Sequence, residues 1–119
     1  MAEEYPLAVV SNKPDSAAKP LCREYFGSVY TLGERRDIPR KPAPNMVWLA
    51  MAAIGVDTCV YVGDSEVDVL TAKNANVPCL SVTWGFRDRE TLRAAGAAYY
   101  CDDPRELPNA IRAIIQEAF

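Results

Sequence analysis

The chain has 119 residues, 50% of them hydrophobic and 24% charged, with a net charge of −3. That length suits one domain around one core, and the scattered Lys and Arg residues exclude the clustered basic face that nucleic-acid binding needs. No apolar run approaches the roughly 20 residues of a membrane span, and Met1-Ala2-Glu3-Glu4 lacks the basic and apolar regions of a signal peptide, so a cytoplasmic location and no membrane partner are expected.

Taken in chain order, apolar runs of strand length alternate with amphipathic stretches of helix length. The first strand is predicted over Pro6–Val10 and the first helix over Asp15–Tyr25. Strand Ser28–Leu32 is followed by helix Pro44–Ile54, strand Thr58–Val62 by helix Ser65–Ala75, and strand Cys79–Thr83 by helix Arg89–Ala95. Strand Ala98–Cys101 and helix Pro104–Ala118 complete the pattern. Pro44 and Pro104 stand where helices begin, and Gly55 and Gly96 stand just past helix ends. Most of the strands are apolar throughout rather than alternating, as parallel strands covered on both faces are. Right-handed crossovers then give an α/β three-layer sandwich, Rossmann-like, as one domain over residues 1–119. Ligands in such sheets gather at the carboxyl ends of the strands, so chemistry is sought there.

The sequence contains no histidine, which rules out Ser-His-Asp and Cys-His catalysis and the usual zinc sites. Cys22, Cys59, Cys79 and Cys101 form no CxxC pair and read as buried free thiols. After the first strand, Ser11-Asn12-Lys13-Pro14 offers a hydroxyl and backbone amides that could hold a phosphate oxygen, or could simply turn the chain and cap a helix. Arg40-Lys41-Pro42-Ala43-Pro44 sets two cations in a proline-stiffened loop. Lys41 could neutralise a transferring phosphoryl group, or remain a solvated loop lysine. Tyr61-Val62-Gly63-Asp64-Ser65-Glu66-Val67-Asp68 ends the third strand with Asp64 and puts Asp68 one helical turn on. Two carboxylates there suit Mg²⁺, although Asp64 as a cap and Asp68 as a first-turn acid would also account for them. Trp84 and Phe86 are expected to pack against the sheet edge, with Asp103 capping the last helix.

In order and spacing these loops resemble the second, third and fourth motifs of the haloacid-dehalogenase (HAD) superfamily: Ser11-Asn12-Lys13, Arg40-Lys41-Pro42-Ala43-Pro44, and Gly63-Asp64-Ser65 with Asp68. The stretches Val62 to Asn76, Val82-Thr83-Trp84-Gly85-Phe86-Arg87 and Ala95-Gly96-Ala97 resemble the phosphoglycolate phosphatase branch. The likeness runs from Pro6 to Leu107. It implies a Mg²⁺-dependent phosphomonoester hydrolase acting on a small phosphorylated metabolite such as phosphoglycolate. Ser11 and Asn12 would contact phosphate, Lys41 would stabilise the transferring group, Asp64 would ligate the metal and Asp68 would support the metal site. The family's nucleophile and general acid lie in an Asp-x-Asp after its first, central strand, and these 119 residues contain no Asp-x-Asp. The chain therefore reads as a partial HAD core without that strand and without the helical cap. It is expected to be inactive alone and to bind Mg²⁺ weakly, with a missing N-terminal segment or a second chain completing the sheet. A non-catalytic HAD-fold binding or regulatory module is the alternative. A phosphoacceptor signalling domain fits poorly, since the first strand ends in Ser11-Asn12 where an acidic pair is wanted and the fifth in Cys101-Asp102 where a lysine is wanted.

Overall fold

Strands that are apolar on both faces need parallel partners and covering helices, and every ladder among the described residues is parallel. The computed structural model describes residues 6–14, 30–84 and 88–118, which fall in two units, Met1–Thr58 and Cys59–Phe119.

In the first unit, β1 (Ala8–Pro14) runs beside β2 (Tyr30–Glu34), with Val9 opposite Thr31 and Val10 opposite Leu32. The register slips between Val10 and Pro14, so β1 carries extra residues across Ser11-Asn12-Lys13, the mark of a bulge. The strand therefore does not end at Val10, as the turn residues suggest. A bulge lets polar residues stay in a strand by breaking the pairing locally. The predicted helix Asp15–Tyr25 and the start of the second predicted strand, Ser28 and Val29, lie outside the described residues.

α1 (Asn45–Ala53) packs on β1 and β2 and buries Met46, Val47 and Ala50, a single stripe, and Leu32 of β2 is buried as well. Pro44 precedes it as N-cap, with its carbonyl accepting from Trp48 N–H at 3.1 Å. The helix stops where Gly55, at φ +74°, lets the Gly55 and Val56 amides turn back onto Ala52 and Met51. Trp48 and Leu49 on this helix remain exposed among the described residues.

The second unit holds a three-stranded parallel sheet in the order β3 (Tyr61–Gly63), β4 (Cys79–Val82), β5 (Tyr99–Cys101). α2 (Glu66–Ala75) packs on β3 and β4, while α3 (Arg89–Ala94) touches α2. A 3₁₀ turn (Pro104–Glu106) leads into α4 (Leu107–Ala118), which packs on β5. Asp103 caps that turn, accepting from Arg105 N–H at 2.9 Å, so the expected cap is present but the first turn is tighter than an α-helix. Leu80, Val82, Leu92, Val69, Ala72, Ile111 and Ile114 form the core, and full burial of each larger aliphatic side chain contributes about 1.5–3 kcal/mol. Two polar side chains are fully buried in it. Thr71 satisfies its hydroxyl on the Val67 carbonyl at 2.6 Å, and Ser81 lies 4.0 Å from the Cys79 thiol. Of the free thiols, Cys101 is buried while Cys59 and Cys79 are only half-buried; Cys22 lies outside the described residues. No helix among the described residues is long and apolar enough to cross a membrane.

Candidate functional site

The junction of β3 and α2 is organised around one buried carboxylate. Ser65, extended at φ −136°, caps α2, and its Oγ accepts from Asp68 N–H at 3.4 Å. Asp68, three residues into the cap sequence, returns the favour: its Oδ2 accepts from Ser65 N–H at 3.3 Å and from Ser65 Oγ at 3.1 Å, a reciprocal capping box. The same Oδ2 also accepts the Asp64 amide at 3.0 Å. On the other side, Oδ1 accepts the Tyr61 phenol at 3.1 Å. An ionised carboxylate has about four lone-pair directions, and Asp68 meets a matching set of donors. Burial of the charge is tolerable for that reason, since a carboxylate in a core without donors would be prohibitive.

Two neighbours make this arrangement possible. Gly63 is required for space rather than for backbone freedom: a Cβ there would lie 2.5 Å from Asp68 Oδ2 and closer still to its Cβ and Cγ. Tyr61 is itself buried; that burial, and then the charge and hydrogen bond of Asp68, push its phenol far above the ordinary tyrosine range, so it donates as the neutral O–H. The sequence singles out Asp64 and Asp68 and passes over Tyr61. Its only signal is a phenol in an otherwise apolar strand, seven residues before an acid.

The two predicted metal residues are therefore brought together in one loop, in different situations. Asp64 stands half-buried just past the strand end, with its amide tied to Asp68. The Asp68 carboxylate is turned inward to hold the loop. The donor chemistry at this strand end is oxygen, which fits a hard cation such as Mg²⁺. Among the described residues, no three His, Cys, Asp or Glu side chains are grouped to enclose an ion.

The predicted phosphate residues belong to the first unit. Ser11 lies half-buried in the bulged part of β1, and Asn12 follows it in the same strand. Lys41, half-buried, sits in a turn closed by Ala43 N–H to Arg40 carbonyl at 3.0 Å, with the Lys41–Pro42 peptide cis. Pro42 and Pro44 restrict the backbone on the C-terminal side of the lysine through their fixed φ.

At the carboxyl ends of β4 and β5, Asp102 joins elements that sequence alone leaves separate. It accepts Thr83 Oγ1 at 2.7 Å and the Arg89 guanidinium at 3.3 Å, while Arg89 lies over the Tyr100 ring at 4.3 Å. Trp84 does not pack away as expected: it is 43% exposed. It follows β4 directly, where the chain has already left the sheet. Phe86 and Arg87 lie outside the described residues.

The arrangement has clear relatives. The candidate phosphatase IndB of Dickeya dadantii is 35% identical over 119 residues, covering 94% of this chain and 51% of that protein. A phosphoglycolate phosphatase of Photorhabdus laumondii is 33% identical over 94 residues, covering 73% of this chain and 39% of its own. Among solved structures, a candidate phosphoglycolate phosphatase from Lactobacillus delbrueckii subsp. bulgaricus matches with a TM-score of 0.86 at 42% identity, over 92% of this chain and 47% of that one. The chain thus spans about half the length of these relatives, or less. The HAD-hydrolase-like family model matches residues 38–107, from before the Lys41 turn through the Asp64 loop to the start of the last helix. The chain belongs to the HAD-hydrolase-like family and is similar to its phosphoglycolate phosphatases.

Proposed function

We propose that this chain is the C-terminal core portion of a Mg²⁺-dependent phosphomonoester hydrolase that acts on a small phosphorylated metabolite, phosphoglycolate being the leading candidate, in the cytoplasm. The observation that carries the reading is the β3–α2 loop, where Asp68 fixes the backbone of Asp64 at a strand end. Asp64 would hold the metal, with Asp68 supporting it from behind. Bound Mg²⁺ would neutralise charge on the phosphoryl oxygens. Lys41 would stabilise the transferring group, and Ser11 and Asn12 would hydrogen-bond its oxygens.

The hydrolysis itself needs a nucleophile. In the proposed reaction an aspartate carboxylate attacks phosphorus, the bond to the leaving alcohol breaks with protonation of that alcohol, and water then hydrolyses the aspartyl-phosphate. These 119 residues contain no Asp-x-Asp to supply that pair, so the isolated chain should hydrolyse p-nitrophenyl phosphate or phosphoglycolate no faster than its Lys41→Ala, Asp64→Asn double variant. Adding the N-terminal segment of a close relative, fused or in trans, should restore Mg²⁺-dependent turnover. Lys41→Ala should then reduce that turnover by about 10²–10³-fold, the usual loss for one electrostatic stabiliser. Turnover by the unsupplemented chain that disappears with Lys41→Ala or Asp64→Asn would refute the claim about the nucleophile. Failure of every well-folded complemented form to turn over would favour the non-catalytic module instead.

A further inference from the structure

The loop that bears Asp64 is held in place by a carboxylate, and that carboxylate is in turn held by a group that the proposed chemistry does not use. Tyr61 lies in the core face of β3, where a phenylalanine or an aliphatic side chain would pack as well. A hydroxyl at such a place is a liability unless it is bonded. Here it reaches across the sheet–helix junction to Asp68 Oδ1, while Oδ2 of the same carboxylate faces the opposite way and collects the Asp64 and Ser65 amides. The two oxygens are rigidly coupled, so the phenol on one side sets the orientation of the other. Gly63 closes the arrangement, since its missing side chain lets the carboxylate lie directly against the strand end.

We propose that Tyr61 is a positioning residue: by fixing Asp68 Oδ1 it orients Oδ2 onto the Asp64 and Ser65 amides, and so sets the backbone from which the Asp64 carboxylate projects. The consequence for Mg²⁺ rests on the phosphatase reading above; the clamp itself does not. Without the hydroxyl, Oδ1 would lose the Tyr61 donor that fixes its direction. The carboxylate would then be free to rotate, drawing Oδ2 away from the loop amides.

Amide exchange and Mg²⁺ titration of the full 119-residue chain, both followed by ¹H–¹⁵N NMR, test this. Tyr61→Phe removes only the hydroxyl and keeps the ring. In metal-free protein it should speed exchange at Asp64 and Ser65 by about tenfold relative to the rest of α2, the ratio expected when one hydrogen bond of ordinary net strength is lost. With MgCl₂ as the probe, the same variant should weaken the apparent Kd read at these amides by about tenfold, a usual loss when an outer partner of a metal ligand is removed. Asp64→Asn should abolish the Mg²⁺ response in the otherwise unchanged chain. If Tyr61→Phe lowers Tm but leaves both amides exchanging as in the parent, the phenol only stabilises the core and the proposal is overturned. If the parent shows no Mg²⁺ response, the metal reading fails and the clamp is judged on the exchange data alone. Asp68→Asn, which keeps the side-chain volume, probes the link from the other end. It should accelerate the same two amides and shift the Tyr61 ring resonances, and unshifted ring resonances would overturn the proposal even if Tyr61→Phe did not fold.

Discussion

Gly63→Ala isolates the most tightly packed contact of the candidate site. The glycine does not occupy the left-handed region, so alanine can adopt its backbone angles, and the whole effect comes from the added methyl group. That methyl would lie 2.5 Å from Asp68 Oδ2, and nearer to its Cβ and Cγ. The Cβ cannot swing aside, because it is attached to the first turn of α2, and the carboxylate is held by Tyr61, Asp64 and Ser65. Relief requires either a shift of the helix or loss of the carboxylate's bonds. Overpacking costs about 1–3 kcal/mol, and hydrogen bonds to a charged group about 1.5–3 kcal/mol each. The reduced freedom of the unfolded chain offsets about 0.4–1 kcal/mol. A net loss of about 3 kcal/mol is expected. Urea unfolding followed by circular dichroism should show it as a fall in midpoint of about 1.5–2 M, for a slope near 1.5–2 kcal/mol/M. In an Asp68→Ala background the same glycine substitution should cost less but not nothing, because no carboxylate remains to be displaced while the Cβ at position 68, the nearest obstructing atom, is still there. A Gly63→Ala midpoint within about 0.3 M of the parent would refute the reasoning, since it would mean the helix start adjusts freely.

Gly55→Ala should behave differently. An added Cβ meets nothing within 4 Å there, but φ is +74°, so only backbone conformation is penalised, by about 1 kcal/mol, seen as a Tm lowered by roughly 4 °C. Burial pushes the Cys79 thiol up to about 11 from 9.0. Its alkylation by iodoacetamide should therefore stay slow at pH 8 and accelerate toward pH 11. Because the folded value lies above the unfolded one, its contribution to stability is present below pH 9 and is lost as pH rises from there to 11; denaturation midpoints that hold steady across that window would contradict the assignment. The Thr91 amide holds the Asp88 carboxyl below its usual range, and the Arg105 side chain does the same for Asp103. Both contributions are present above pH 3.8 and fade as pH falls below it, so Asp88→Asn and Asp103→Asn should lower stability at neutral and alkaline pH, flatten the acid limb of a stability–pH profile and approach the parent well below pH 3.8.

How far the sequence alone reaches depends on whether a feature is local. The alternation of apolar strands with helices, the parallel ladders that follow from it, and the helix ends at Gly55 and Gly96 are all set by neighbours a few residues apart. All of them are readable in the chain. The Gly63-Asp64-Ser65 loop and Asp68 are readable too, because strand end, cap and first helical turn are contiguous. Outcomes that depend on distant or competing contacts are different. β1 runs on to Pro14 because its pairing with β2 accommodates a bulge, which turn-forming residues such as Asn12 and Pro14 disguise. Trp84 is exposed although its size predicts burial, since position just beyond a strand end outweighs hydrophobicity. By spacing alone, Asp68 reads either as a second carboxylate at the metal site, supporting Asp64, or as a first-turn acid of the helix. Only the tertiary structure turns its carboxylate inward, because the Tyr61 phenol and two loop amides converge on it once β3 and α2 have packed, and hydrogen bonds of that kind depend on ångström-scale placement that residue spacing does not encode.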